Sequence, residues 1–159
     1  MHPLSAFLRT YYHYETLPGL LQDALLLAIR LTWGLQFVQT GWGKWHSLEK
    51  VTAFFAELGI PLPALNAYLV ATTELGGGLL LALGLLSRLG AAPLIFAMIV
   101  AYVTSEQEAL GQLVQGNPDP FFAAAPFLFL LASLVVLVFG PGRYSVDFAL
   151  KKKFEKSRE

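Results

Sequence analysis

Four apolar runs, at about residues 20–41, 63–86, 89–106 and 121–140, constrain this chain more than any other feature. Each is long enough to cross a bilayer, which takes about 20 mostly apolar residues. Hydrocarbon offers no partner to a bare peptide group, so such runs fold as helices. Composition agrees. The chain is 55% hydrophobic and only 14% charged, where an average soluble domain carries about 25% charged residues. The pattern predicts an all-α integral membrane protein, an antiparallel bundle of four transmembrane helices. A chain of 159 residues has room for one domain. The first run is too long for a signal peptide, contains Arg30, and is followed by no small-residue cleavage site.

Lys and Arg set the orientation. Arg9, Arg88 and the tail residues Arg143, Lys151, Lys152, Lys153, Lys156 and Arg158 share one side of a four-pass topology. The other side carries only Lys44 and Lys50. The positive-inside rule therefore predicts both termini in the cytoplasm. Residues 1–19 read as an N-terminal cytoplasmic arm and 149–159 as a basic cytoplasmic tail attracted to anionic lipid. Between spans one and two, Leu48, Val51, Phe54, Phe55 and Leu58 recur at helical spacing. They predict a short amphipathic helix in the membrane interface, ended by the prolines of "GIPLP". The Ser87–Arg88 connection is tight, a short helix is expected at 105–114, and "GPGRY" reads as a stop and turn.

Two charges stand inside the runs. Glu74, in "ATTELGGGLL", is the sole charge between Pro63 and Ser87, and Arg30 interrupts the first run. A charge inside a bilayer needs a partner, and by default marks a functional site. Counted from span ends near 20 and 86, Arg30 sits about 15 Å deep and Glu74 about 18 Å. Matching depth on antiparallel helices predicts that the two pair, either as a register lock or as the lining of a polar pocket. Gly77 and Gly78 would thin the helix beside the carboxylate, so that a neighbouring helix or a flat ligand can approach. Lys44, in "QTGWGKWHS", falls on the Arg30 face, and Tyr102 lies near the depth of Glu74. The candidate ligand-binding residues are thus Arg30, Lys44, Glu74, Gly77, Gly78 and Tyr102, with Glu74 the candidate catalytic group. No His pair has zinc-ligand spacing, and no phosphate loop or dinucleotide fingerprint is present. The chain has no cysteine, which excludes disulfides and cysteine-ligated iron–sulfur clusters within it. Zero net charge gives no reason to expect nucleic acid.

An Arg in span one, "GWGKW" at its outer end, "ELGGGLLLALGLLSRLGA" across spans two and three, and "GPGRYSVD" after span four occur in this order. Over about residues 20–148 the chain resembles the DoxX family of small four-helix bacterial membrane proteins. The positions that match are Arg30, Gly41, Lys44, Glu74, Gly77, Gly78, Arg88, Gly140, Gly142 and Asp147. The resemblance implies a multi-pass protein of the bacterial inner membrane and a link to membrane redox chemistry. One expectation is therefore a subunit of a respiratory or oxidative-stress system that holds a quinone through the buried Arg/Glu pair. It would carry no cofactor of its own and work beside a partner protein, with self-association an open alternative. A second expectation is a non-catalytic anchor or assembly subunit. A third is a small transporter or channel, ranked last because no continuous polar lining is evident.

Overall fold

The computed structural model describes residues 17–157. Most of the expected N-terminal arm, residues 1–16, lies outside them. Among the described residues the chain is helical, without strands. α1 (Leu17–His46) is followed by α2 (Leu48–Glu57), α3 (Pro63–Leu83) and α4 (Ser87–Ser105). α5 (Gln107–Val114), α6 (Asp119–Ala123), α7 (Pro126–Phe139) and α8 (Val146–Lys156) complete the order.

α1 is longer than the predicted run at both ends. Its 30 residues extend about 45 Å at the helical rise. The "GWGKW" cluster therefore belongs to its last turns rather than to a connection. α2 is the expected amphipathic helix, and α5 falls within the expected 105–114. The α3–α4 turn is as tight as predicted. Gly84 ends α3 at φ 68°, and Leu86 takes φ 45° immediately before α4. The fourth run departs from expectation by breaking in two. Pro126 has no N–H to donate, and its ring would collide with the carbonyl four residues back. α6 therefore stops at Ala123, Ala124 is extended, and α7 restarts at Pro126.

α1 packs on α3, α3 on α4, α4 on α7, and α7 back on α1. Phe37, Leu81, Leu94 and Val136 form the fully buried centre. Phe129 meets both Trp33 and Phe37 edge-on, with ring centroids 5.1 and 4.6 Å apart. Much of the remaining interior is polar or small: Arg30, Glu74, Ser87, Ser133, Gly77 and Gly78 are buried. Outside, Leu31, Leu79, Leu83, Phe96, Val103, Leu131 and Val138 are exposed. An apolar exterior of this extent is a liability in water and is matched by lipid hydrocarbon. α4 is the one described helix long and apolar enough to cross a membrane by length and composition alone; α7 is a shorter apolar helix of 14 residues.

Candidate functional site

The register of α1 against α3 decides where the charges fall. A methyl group on Gly34 would meet the backbone of Ala82, one on Gly41 that of Leu75, and one on Gly78 the carbonyl of Gly34 and the amide of Val38. These contacts place Arg30 level with residue 86 and Glu74 level with residue 42. The two are thus about 18 Å apart along the axis at 1.5 Å per residue. The expected Arg30–Glu74 pair does not form. The sequence-based depths assumed that the two helices start level at their ends, whereas α1 overshoots α3. Side-chain direction widens the gap, because helical side chains lean toward their own N-terminus. Arg30 leans away from Glu74, and Lys44 leans toward it.

Glu74 pairs with Lys44 instead. Lys44 Nζ donates to Glu74 Oε2 at 2.5 Å. The Glu74 side chain is 4% exposed and that of Lys44 29%, so the pair is closed on the α3 side and open on the lysine side. Aromatic side chains gather at this end of the molecule, on the last turns of α1 and the first turns of α3. Trp45 meets Tyr68 edge-on at 5.6 Å, and Trp42 lies 4.5 Å from the His46 ring. His46 Nδ1 is itself engaged with the Trp42 carbonyl at 2.9 Å. The ion pair offers an ammonium donor and a carboxylate proton acceptor side by side.

Gly77 and Gly78 serve helix packing. Gly78 admits Phe37 and the backbone of α1, and Gly77 admits the Leu94 side chain of α4. Only the first of the two roles foreseen for them, approach of a neighbouring helix, is visible. Tyr102 is also elsewhere than expected. It lies on α4 about 7 Å beyond the level of Glu74, given Leu94 opposite Gly77 and the helical rise. Its hydroxyl donates to the Phe121 carbonyl at 2.8 Å while its ring stacks on Phe121.

Arg30 is the centre of a second constellation, at the end of the molecule that holds the α3–α4 turn. Its side chain is fully buried, and Nη2 donates to the Tyr144 carbonyl at 2.5 Å. Nε and Nη1 have no hydrogen-bond partner among the described residues. Nη1 occupies the space in which any side chain at Gly84 would stand, so Gly84 is required twice: for its left-handed conformation and for the guanidinium. Two carboxylates hold the 140–147 turn over this end. Asp23 accepts from the Arg143 amide at 2.8 Å, with Arg143 Nε 3.5 Å away. Asp147 accepts from the Leu86 and Ser87 amides at 2.8 and 3.1 Å, and from the Ser87 hydroxyl at 3.2 Å. The Asp147 amide returns a bond to the Gly84 carbonyl at 2.9 Å. Asp147 thereby caps the start of α4 from another part of the chain, satisfying amides that a helix N-terminus leaves free.

Sequence reasoning left Asp23 without a role, although it is an acid in an apolar run and answers to the same rule that singled out Glu74. Asp147 was a matching position without a function, and nothing local in the sequence reveals that it caps a helix sixty residues away. Among the described residues, no three His, Cys, Asp or Glu side chains gather as a metal site.

Comparison with known proteins finds relatives among membrane proteins. The DoxX family model matches residues 25–107. The uncharacterized membrane protein Rv3486 of Mycobacterium tuberculosis is 36% identical over 134 residues, covering 80% of this chain and 82% of that protein. CatD of Bacillus subtilis, provisionally named an oxidoreductase, is 31% identical over 80% of this chain and 88% of its own length. The inner membrane protein YqjF of Escherichia coli is 29% identical over 84% of this chain and 98% of its own. No solved structure matches the chain.

Proposed function

Since this chain belongs to the DoxX family of membrane proteins, we propose that it is a multi-pass subunit of a bacterial inner-membrane redox system that meets membrane quinone at the Lys44–Glu74 pair. In this reading α1, α3, α4 and the α6–α7 segment cross the bilayer, with both termini in the cytoplasm. The observation that carries the proposal is a buried carboxylate whose charged partner among the described residues is partly exposed. A quinone carbonyl oxygen is an acceptor without a proton of its own. Lys44 would donate to it, and Glu74 would exchange one of the two protons that two-electron reduction of the ring requires. The name of CatD is consistent with redox chemistry. Electrons would come from a partner protein or directly from a bound donor. Arg30 is excluded from this pocket by its distance.

A second reading, a non-catalytic anchor, draws on the Lys44–Glu74 contact itself. A buried ion pair between α1 and α3 also suffices as a structural lock. One experiment separates the two. The protein is purified in native lipid, and co-purifying molecules are identified by mass spectrometry for wild type, Glu74→Gln and Arg30→Lys. The redox reading expects quinone with wild type and Arg30→Lys, and about a tenfold loss with Glu74→Gln, equivalent to about 1.4 kcal/mol. A folded Glu74→Gln protein that holds as much quinone as wild type, or wild type that holds none while retaining a protein partner, would sink it in favour of the anchor.

A further inference from the structure

A cleft of about 740 Å³ opens at the Arg30 end of the molecule, between the first turns of α1, the start of α4, the 139–143 turn and α8. Three cations line it: Arg88, Arg143 and Lys151. Two carboxylates also line it, but both are committed. Asp23 is bound to the Arg143 amide, and Asp147 caps α4. Arg143 Nε stands 3.5 Å from Asp23 with its side chain largely exposed, and the other two cations are less engaged. Arg88 makes one long bond, 3.3 Å to the Val138 carbonyl. Lys151 lies 3.9 Å from Glu155, and both side chains are exposed. The remaining wall is apolar, and Leu86, Leu89 and Phe139 are all exposed. That wall continues onto the exposed apolar flanks of α4 and α7 through Phe96 and Val138.

A basic rim above an apolar wall, where helices of a membrane protein end, is the inverse of an anionic phospholipid. We infer that this cleft binds the phosphodiester headgroup of such a lipid, with its acyl chains lying against α4 and α7. A free phosphate would be drawn to the same cations, but it has no use for Leu86, Leu89 and Phe139. The wall therefore favours the lipid. Lipid binding at this cleft is independent of quinone chemistry at Lys44–Glu74.

The test uses purified full-length protein exposed to equal amounts of dioleoyl phosphatidylglycerol and dioleoyl phosphatidylcholine, with retained lipid counted by native mass spectrometry. Wild type is expected to favour phosphatidylglycerol by about fivefold or more, given the usual attraction of a juxtamembrane cation for anionic lipid. R88Q/R143Q/K151Q is expected to lose that preference, since glutamine keeps bulk and polarity without charge. The Arg143 amide bond to Asp23 survives this change, and circular dichroism checks the fold. Should the triple variant misfold, R88Q alone, at an exposed side chain, is expected to lower the preference. K152Q/K153Q/K156Q removes equal charge from the exposed side of α8 outside the cleft and is expected to keep it. Equal retention of both lipids by wild type overturns the inference. So does a control variant that loses the preference as fully as the cleft variant, which assigns it to diffuse tail charge. Complete displacement of phosphatidylglycerol by millimolar inorganic phosphate overturns it too, in favour of a free-anion site.

Discussion

Gly76, Gly77 and Gly78 are indistinguishable as letters and differ in what their missing side chains would meet. Nothing lies within 4 Å of a methyl group on Gly76, Gly77 faces the side-chain tip of Leu94, and Gly78 faces the backbone of α1. Gly76→Ala is therefore expected to be neutral or to stabilise by up to about 1 kcal/mol through helix propensity. Gly78→Ala should cost about 1–3 kcal/mol by forcing two backbones apart. Gly77→Ala should fall between, because a side-chain tip can shift. Thermal unfolding in detergent orders the three, and a Gly78→Ala protein as stable as Gly76→Ala would refute this register of α1 on α3. The charged residues allow a sharper test of the same register. In a double-mutant cycle, Lys44→Met with Glu74→Gln should show coupling of about 0.5–3 kcal/mol, whereas Arg30→Met with Glu74→Gln should be additive within about 0.5 kcal/mol. That Glu74 requires a partner is legible in the sequence, since a lone buried carboxylate is untenable in hydrocarbon. Which cation answers is not, because Arg30 and Lys44 lie on one face of α1 and only the offset between α1 and α3 chooses between them.

At the scale of elements, the turn from Gly140 to Asp147 acts as a latch. Gly140 and Gly142 adopt φ 80° and 73°, and Ser145 caps α8 by accepting from the Phe148 amide at 3.2 Å. Arg30, Asp23 and Asp147 then bind the turn to α1 and α4. Removing Arg30 leaves the Tyr144 carbonyl without its buried, charge-assisted donor, a loss of about 1.5–3 kcal/mol. Arg30→Met should accordingly speed amide exchange across residues 141–150 and leave the Lys44 end of α1 protected; unchanged exchange there would show that the latch holds without Arg30. The amphipathic α2 and α5, the tight α3–α4 turn and the stop after α7 all follow from local chemistry: apolar spacing, glycine and proline. The break between α6 and α7 is also written locally, in Pro126, but the surrounding apolar residues mask it. A hydropathy run counts apolar residues without regard to whether the backbone through them can stay helical.

For the whole molecule, the absence of cysteine makes topology directly measurable. Gln115→Cys and Ser157→Cys introduce single thiols at exposed sites on opposite ends of the proposed four-span arrangement. In intact cells an impermeant maleimide is expected to label the first and not the second, and to label both after permeabilisation. Labelling of Ser157→Cys in intact cells would overturn the cytoplasmic placement of the C-terminus. Membrane residence, the helical class, the approximate helices and the presence of buried charge needing a partner were determined by the sequence alone. Each follows from solvation of single segments, in which apolar runs seek lipid and their amides must bond within the helix. Tertiary structure decided the partners. The overshoot of α1 past α3 sent Arg30 to the Tyr144 carbonyl and Lys44 to Glu74. The folding back of the 140–147 turn made Asp147 a cap for α4 and gathered Arg88, Arg143 and Lys151 around one cleft. Those outcomes depend on the axial offset between helices, which is set by where glycines let backbones touch, a property of pairs of segments that no segment carries by itself.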